Sequence, residues 1–249
     1  MVDTHCHLDS CKPPDDELVE RAHAAGVTHL ATVGMHDESI ERALAAAREF
    51  DDVVAIVGRH PHYTEGFAEA DIEAIERAAA DPWARAIGET GLDYFRAHAP
   101  HDDQRRAFEA QIDLAARTQL PLVIHTREAE EDTFALLRER AGELSVILHC
   151  FSAPSRVEEC VERGYMCSFA GNVTYPKAVE LQAAARDLPE ELLLVETDSP
   201  YLAPQPVRGK PNEPANVVAT ARFVAELRGV AYEQLDAAVE RNAARVFGW

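Results

Sequence analysis

The sequence predicts a single (β/α)8 TIM barrel domain over residues 1–249. Three observations favour this fold: the length of 249 residues, eight short β-prone runs that alternate with helical segments, and metal-capable side chains at the ends of several of those runs. Parallel strands need crossover helices, and repeated alternation over about 250 residues is typical of such a barrel. A doubly wound open sheet produces the same alternation and is the alternative.

The eight β-prone runs are short and rich in aliphatic residues. They lie at Val2 to His7, Thr28 to Val33, Val53 to Val57, Ala84 to Gly88, Leu122 to His125, Val146 to His149, Met166 to Phe169 and Leu192 to Glu196. The segments between them space apolar residues three and four apart, as in the stretch from Ile40 to Phe50 and at Phe108, Ile112 and Ala115. One more helix is predicted from about Tyr232 to Val246, outside the eightfold pattern.

Composition and apolar run length exclude several classes of protein. With 47% hydrophobic residues the chain is able to build a core, so disordered and fibrous classes are excluded. Its longest apolar stretches, such as Val53 to Val57, fall far short of the roughly 18 residues that a bilayer span needs, so we expect no membrane partner. The first seven residues have neither a basic start nor an apolar core, which predicts a cytoplasmic protein. No obligate protein partner is evident.

The charge of the chain is strongly negative. Lys and Arg number 24 against 44 Asp and Glu, giving a formal net charge of −20, and arginine far outnumbers lysine. Carboxylates repel one another little in concentrated salt, because the Debye length at 1 M is about 3 Å. The composition therefore favours a salt-adapted protein, with an ordinary acidic enzyme as the alternative.

Two histidines alternate on the first predicted strand. His5 and His7 are two residues apart, so the pleat directs both imidazoles to one side, with Cα atoms about 6.6 Å apart. That spacing suits two ligands of one metal ion. Cys6, between them, should point to the opposite side.

Four later strands also end in metal-capable side chains, namely Glu89, His125, His149 and Asp198. The carboxyl ends of barrel strands meet at one rim, where the chemistry of such folds gathers. Buried His, Glu and Asp are costly unless they are paired or bound to metal. The pattern therefore predicts a divalent metal site at this rim.

The third strand is followed by Arg59, His60, Pro61 and His62. We interpret the two histidines as outer acids or substrate contacts of the same site. The alternative is a turn stiffened by Pro61, in which the histidines have no chemical role.

The ordered motifs then indicate a family. They are the stretches Asp3 to Asp9, Arg59 to His62, Gly88 to Tyr94, His149 to Ser152, Glu196 to Leu202 and Asn212 to Asn216. Together they resemble the TatD family of metal-dependent deoxyribonucleases, within the amidohydrolase-like barrel superfamily. The resemblance runs from residue 3 almost to the C-terminus and implies a two-metal hydrolase that acts on phosphodiester bonds of DNA.

The same resemblance implies a ligand set. By position, His5, His7 and Asp198 would hold one metal ion, His125 and His149 the second, and Glu89 would bridge the two. Mixed imidazole and carboxylate ligands suit Zn²⁺ or Mn²⁺ better than Mg²⁺, which prefers oxygen. We therefore expect two divalent metal ions, with Zn²⁺ or Mn²⁺ favoured and Mg²⁺ possible.

Two such ions activate a shared water for in-line attack on phosphorus. In this hypothesis Asp198 orients or deprotonates the water, and His60 stands near the leaving oxygen as a general acid. Glu89 joins Asp198 in the catalytic set because it bridges the ions.

Three other functions are open alternatives. A sister branch of the superfamily bridges its metals with a carbamylated lysine, but none of the three lysines ends a predicted strand, which disfavours it. A TatD-like esterase, such as a deacylase of misacylated transfer RNA, would use the same ligands. A non-catalytic metal-binding protein is the third alternative.

A DNA substrate conflicts with the net charge, since nucleic-acid binding normally relies on basic residues that neutralise phosphates. Metal ions supply local positive charge, and Arg59, Arg127 and Arg208 follow strand ends where they would meet phosphates. Tyr94, beyond the fourth strand, is a candidate for lining the cleft, as His62 is a candidate substrate contact. We expect binding without sequence specificity, to an end or a single strand.

Overall fold

The computed structural model describes residues Met1–Trp249 and has the (β/α)8 TIM barrel fold. Eight strands form one sheet in the order β1 to β8. Their bounds are β1 Val2–Cys6, β2 His29–Gly34, β3 Val53–Val57, β4 Ala84–Asp93, β5 Leu122–Arg127, β6 Val146–Leu148, β7 Met166–Phe169 and β8 Leu193–Val195. All eight predicted runs contain a strand, so the predicted fold is confirmed and the doubly wound alternative is wrong.

Nine α-helices accompany the strands. They are α1 Asp15–Ala24, α2 Asp37–Glu49, α3 Glu69–Ala79, α4 His101–Thr118, α5 Glu130–Arg140, α6 Val157–Arg163, α7 Val179–Asp187, α8 Val217–Arg228 and α9 Tyr232–Phe247. The last of these confirms the helix predicted outside the eightfold pattern. None of the nine has the length and apolar character that crossing a bilayer requires.

The chain divides into two compact units. The terminal unit consists of Met1–Thr32, Asp51–Val53 and His149–Trp249, and the central unit consists of Val33–Phe50 and Val54–Leu148. A single domain over the whole chain stays a prediction.

In the terminal unit, β1 lies beside β8. Cys6 forms a parallel bridge with Ser199, and the His7 amide donates to the Ser199 carbonyl at 2.8 Å. The Asp198 amide likewise donates to the His5 carbonyl at 2.9 Å. These bonds fix the end of the first strand against the segment that follows the last one.

In the central unit, β4 and β5 pair in parallel beyond the point where the sequence predicts β4 to end. Gly91 pairs with His125 and Asp93 with Arg127. Gly91 has a φ of 136°, and a Cβ atom there would lie 2.0 Å from the His125 carbonyl oxygen. Only glycine therefore allows this close approach, because any side chain would collide with the backbone of β5.

Helix α4 covers this part of the sheet with the apolar face that its spacing predicts. Phe108, Ile112 and Ala115 are all fully buried. On the same helix, the Gln104 side chain accepts the Asp93 amide at 2.9 Å, and Gln111 donates to the Thr90 hydroxyl at 2.7 Å. The two buried side-chain amides thus form hydrogen bonds with backbone and side-chain groups at the end of β4, where the strand carries its polar residues.

Candidate metal centre

In the terminal unit, three buried imidazoles lie together at the end of β1. The rings of His5 and His7 have centroids 5.0 Å apart, and His5 stacks on His149 at 3.8 Å. Cys6, between the two strand histidines, directs its thiol to the carbonyl oxygen of Ala31 on β2. Alternation along the strand therefore presents two imidazoles to one cluster while the intervening side chain packs elsewhere.

Asp198 adds a carboxylate to this cluster. Its Oδ1 lies 3.5 Å from Nε2 of His7, and its backbone has a φ of 54°, in the left-handed region that Asp tolerates better than most residues. Burial opposes ionisation of Asp198, but the hydrogen bond with His7 and the nearby imidazoles of His149 and His5 outweigh it and lower its pKa. Asp198 is therefore a carboxylate at neutral pH.

A second carboxylate, Glu196, orients His149. Its Oε1 lies 3.0 Å from Nδ1 of His149 and accepts the Cys150 amide at 2.7 Å. This pairing makes Nδ1 the protonated nitrogen of the ring. A carboxylate behind an imidazole is the usual outer support of a metal ligand, because it fixes the ring and raises the basicity of the other nitrogen.

Asp3 ties the two strand ends together. Its carboxylate accepts the Thr197 amide at 2.8 Å, the Thr197 hydroxyl at 2.5 Å and the His5 amide at 3.3 Å. Burial raises the pKa of Asp3 to about 8, although the Thr197 hydrogen bonds act in the opposite direction. Neither Asp3 nor Glu196 has a role predicted from the sequence. Their position two residues before the candidate ligands His5 and Asp198 was the available signal, because alternate strand residues face one side.

In the central unit, Glu89 on β4 lies between two imidazoles. Its Oε1 is 2.9 Å from Nδ1 of His125 and 3.4 Å from Nε2 of His60. The rings of His60 and His125 have centroids 4.6 Å apart. The predicted ligands Glu89 and His125 are thus brought together, and His60 joins them.

Asp93 supports this second cluster and also has no role predicted from the sequence. Its Oδ2 lies 3.2 Å from Nε2 of His125 and 2.8 Å from Nε2 of His62, while its Oδ1 accepts the Arg96 amide at 2.7 Å. Burial opposes ionisation of Asp93, but these hydrogen bonds lower its pKa below the ordinary value. The alternation Glu89, Gly91, Asp93 was the signal, and it was hidden because the predicted strand stopped at Gly88.

His60, predicted to act as the general acid, is buried beside Glu89. Burial lowers the pKa of His60 to about 4, although the neighbouring Glu89 carboxylate raises it. The lowered pKa favours the neutral imidazole, and the role of His60 as a general acid stays a prediction. Its Nε2 faces Glu89, which suits a metal ligand or a hydrogen-bond partner.

Arg59, predicted as a phosphate contact, is paired with two carboxylates. Its side chain is only 8% exposed, and its guanidinium binds Asp37 at 2.6 Å and Asp71 at 3.1 Å. Arg59 therefore links the first turns of helices α2 and α3, and its role as a phosphate contact stays a prediction.

Two other predicted substrate contacts, Tyr94 and His62, also lie in the central unit. The Tyr94 hydroxyl donates to Asp132 at 2.7 Å, and its ring stacks on His101. Burial, and then the hydrogen bond to Asp132, raise the pKa of Tyr94 to about 12. His62 is partly exposed beside Asp93.

The two remaining predicted arginines lie over aromatic rings. The guanidinium carbon of Arg127 is 3.9 Å from the centroid of Phe95, in the central unit. In the terminal unit, that of Arg208 is 3.8 Å from the centroid of Tyr175. Both positively charged groups are therefore held by rings rather than by carboxylates.

The donor sets of both units fit a divalent cation. Ligand atoms of His5, His149 and Glu196 all lie within 4.8 Å of one another in the terminal unit, as do those of His60, Glu89 and His125 in the central unit. Glu196 Oε2 is buried without a hydrogen-bond partner, which is costly for a carboxylate unless positive charge lies nearby, as it would with a cation on His149. Imidazole and carboxylate together suit Zn²⁺ or Mn²⁺.

Comparison with known proteins gives the family. The family described as TatD related DNase matches residues 2–248. The chain is 37% identical to the metal-dependent hydrolase YabD of Bacillus subtilis, over 99% of this chain and 98% of the relative. It is also 37% identical to the 3'-5' ssDNA/RNA exonuclease TatD of Citrobacter rodentium, over 94% and 91% of the two chains.

A solved structure agrees with this assignment. The TatD homologue YJJV of Escherichia coli has a TM-score of 0.92 to this chain at 28% identity, covering 100% of this chain and 98% of that one. The fold, the two donor clusters and the relatives point the same way. The chain belongs to the TatD family of metal-dependent hydrolases.

Proposed function

We propose that this hydrolase cleaves phosphodiester bonds at an end of single-stranded nucleic acid, DNA in the first place, with two divalent cations, Zn²⁺ or Mn²⁺ favoured. The observation that carries the proposal is the pair of buried imidazole and carboxylate clusters at strand ends. Relatives named as 3'-5' ssDNA/RNA exonucleases support the choice of substrate.

By the resemblance to the family, His5, His7 and Asp198 would hold one cation, His125 and His149 would hold the other, and Glu89 would contribute to both. Cations held there would lower the pKa of a water and polarise the phosphoryl oxygens. The chain's own residues fix the donors in place. Glu196 orients His149, Asp93 orients His125, and the bonds of the Asp198 and His7 amides hold β1 and β8 in register.

Asp198 has the properties of a base for the attacking water. It is ionised at neutral pH, it is buried, and its contact with His7 restricts its orientation. A buried carboxylate that accepts a proton in the transition state typically accelerates a reaction by about 10²–10⁴-fold. His60, beside Glu89, would stand near the leaving oxygen as the general acid, or would position that carboxylate.

Replacing Asp198 with Asn tests the proposal. The side chain keeps its size and loses its charge, so we expect hydrolysis of single-stranded DNA to fall by at least about 100-fold while the far-UV circular dichroism spectrum is unchanged. Glu180→Gln, an exposed change on α7, is the matched control and should keep full activity. Turnover near the parental rate in Asp198→Asn would remove Asp198 from the mechanism.

The substrate needs a parallel assay. Protein loaded with Mn²⁺ or Zn²⁺, and protein stripped with a chelator, are incubated with single-stranded DNA, with RNA and with a D-aminoacyl-tRNA. We expect cation-dependent release of nucleotides. Release of the amino acid with intact nucleic acid would replace the nuclease proposal by a deacylase.

A further inference from the structure

An exposed aromatic side chain stands directly after β4 in the central unit. Phe95 is 49% exposed, and the Tyr94 amide before it donates to the Arg127 carbonyl at 3.0 Å, which fixes the turn against the end of β5. A single exposed phenylalanine carries little information in itself. Its neighbours are what distinguish this one.

Two arginines lie over the Phe95 ring. The guanidinium carbon of Arg127 is 3.9 Å from the ring centroid, and that of Arg96 is 5.6 Å from it. Neither side chain forms a salt bridge, in a protein with 44 acidic residues where most arginines do, as Arg21 and Arg42 illustrate. Two uncompensated positive charges are thus concentrated around one exposed ring.

This group is anchored to the candidate metal site. The Arg96 amide donates to Oδ1 of Asp93, whose Oδ2 lies 3.2 Å from the candidate ligand His125. Arg127 itself is two residues beyond His125 on β5 and pairs with Asp93 across the sheet. Arg127 and His125 thus have Cα atoms about 6.6 Å apart on one strand, so a ligand held by the ring and the two guanidiniums would lie at the same end of the sheet as the candidate ligand His125.

We propose that Phe95, Arg96 and Arg127 form a stacking subsite, in which one unpaired nucleobase replaces the Arg127 guanidinium on the phenylalanine ring and the flanking phosphates bind the two arginines. The inference rests on the proposed function and adds how its substrate is selected. Stacking on an aromatic ring accepts every base, and guanidiniums bind phosphate without reading sequence. A base within a duplex is already stacked on its neighbours, so the subsite favours single strands and frayed ends.

Binding with and without the base tests this subsite. In protein loaded with Mn²⁺ and carrying Asp198→Asn to prevent turnover, the dissociation constant is measured by fluorescence anisotropy for a labelled oligothymidylate. The same measurement uses an oligomer whose 3'-terminal nucleotides are abasic. We expect the ordinary oligomer to bind about 5- to 150-fold more tightly.

Variants at Phe95 assign that preference to the ring. Phe95→Ala and Phe95→Leu should lose most of it, because leucine keeps apolar bulk without an aromatic face, whereas Phe95→Trp should retain it. Val179→Ala, which removes another exposed apolar side chain, is the control and should keep the full preference.

The outcomes separate the two proposals. If the parent binds and degrades single strands but Phe95→Ala or Phe95→Leu keeps the full preference, the stacking subsite is refuted and the proposed function stands. If the parent neither binds nor degrades single-stranded nucleic acid, the proposed function is refuted and the subsite with it.

Discussion

Replacing Glu196 with Gln removes one negative charge from behind His149 and leaves the shape of the site unchanged. In the structure Oε1 of Glu196 lies 3.0 Å from Nδ1 of His149 and accepts the Cys150 amide, so a glutamine oxygen is able to occupy the same place. The charge is what the variant loses. Hydrogen bonds to a charged group contribute about 1.5–3 kcal/mol, against about 0.5–1.5 kcal/mol for neutral pairs.

We therefore expect the free energy of Zn²⁺ binding to weaken by about 1–2 kcal/mol, because the imidazole of His149 becomes less basic. This agrees with the roughly 10- to 100-fold loss of metal affinity that usually follows from changing the outer partner of a ligand histidine. The assay is a competition titration of Zn²⁺ between the protein and a chromophoric chelator at pH 7. Glu180→Gln makes the same chemical change on the exposed surface of α7 and should bind Zn²⁺ as the parent does.

An unchanged Zn²⁺ affinity in Glu196→Gln would refute this reasoning. It would mean that His149 binds no cation, or that its basicity is set by another group. Circular dichroism of the variant in the presence of chelator distinguishes a lost site from a lost fold.

Three further predictions concern stability. Removing the cations with a chelator should lower the midpoint of thermal unfolding. Mn²⁺ or Zn²⁺ at about 100 times its dissociation constant should restore about 2.7 kcal/mol of the free energy of unfolding per site. A midpoint that changes with neither treatment would contradict a native metal site. Phe108→Ala should reduce the free energy of unfolding by about 3–5 kcal/mol in urea titrations, because the ring is fully buried under α4, and a loss below about 1 kcal/mol would contradict that packing. Burial opposes ionisation of Asp81, but the Trp83 amide and Arg48 hold its pKa below the ordinary 3.8. Ionised Asp81 therefore stabilises the folded state above about pH 3.8, and this stabilisation is lost as the pH falls below that value. Asp81→Asn should therefore flatten the decline of the free energy of unfolding between about pH 5 and pH 3, and parallel curves for the variant and the parent would be the contrary result.

Strand positions could be predicted where local pattern and tertiary environment agree. β3 and β7 have the predicted bounds, because fully buried strands of a parallel sheet are continuous apolar runs. β4 extends to Asp93, beyond the predicted run from Ala84 to Gly88. In the structure Gly91 permits contact with β5, which depends on a strand about thirty residues away and is not visible locally.

The candidate ligands could be predicted because imidazoles and carboxylates are seldom buried together at strand ends unless they bind a cation or pair with one another. Their supports could not, because they depend on which side chains meet. In the sequence no acidic residue stands next to Arg59, but in the structure its guanidinium pairs with Asp37 and Asp71. His60 follows a strand in the sequence, and only the structure shows that it is buried beside Glu89 and that burial lowers its pKa.

The central claim is that these strand ends hold a pair of cations. A crystal structure of the Mn²⁺-loaded protein, with anomalous scattering recorded near the manganese edge, tests it most directly. We predict two anomalous peaks. The ligand atoms, at about 2.0–2.3 Å from a peak, should be imidazole nitrogens and carboxylate oxygens drawn from His5, His7, Glu89, His125, His149 and Asp198. The contrary result is saturating Mn²⁺ with no peak near these side chains, which would leave the chain without the hydrolytic centre proposed for it.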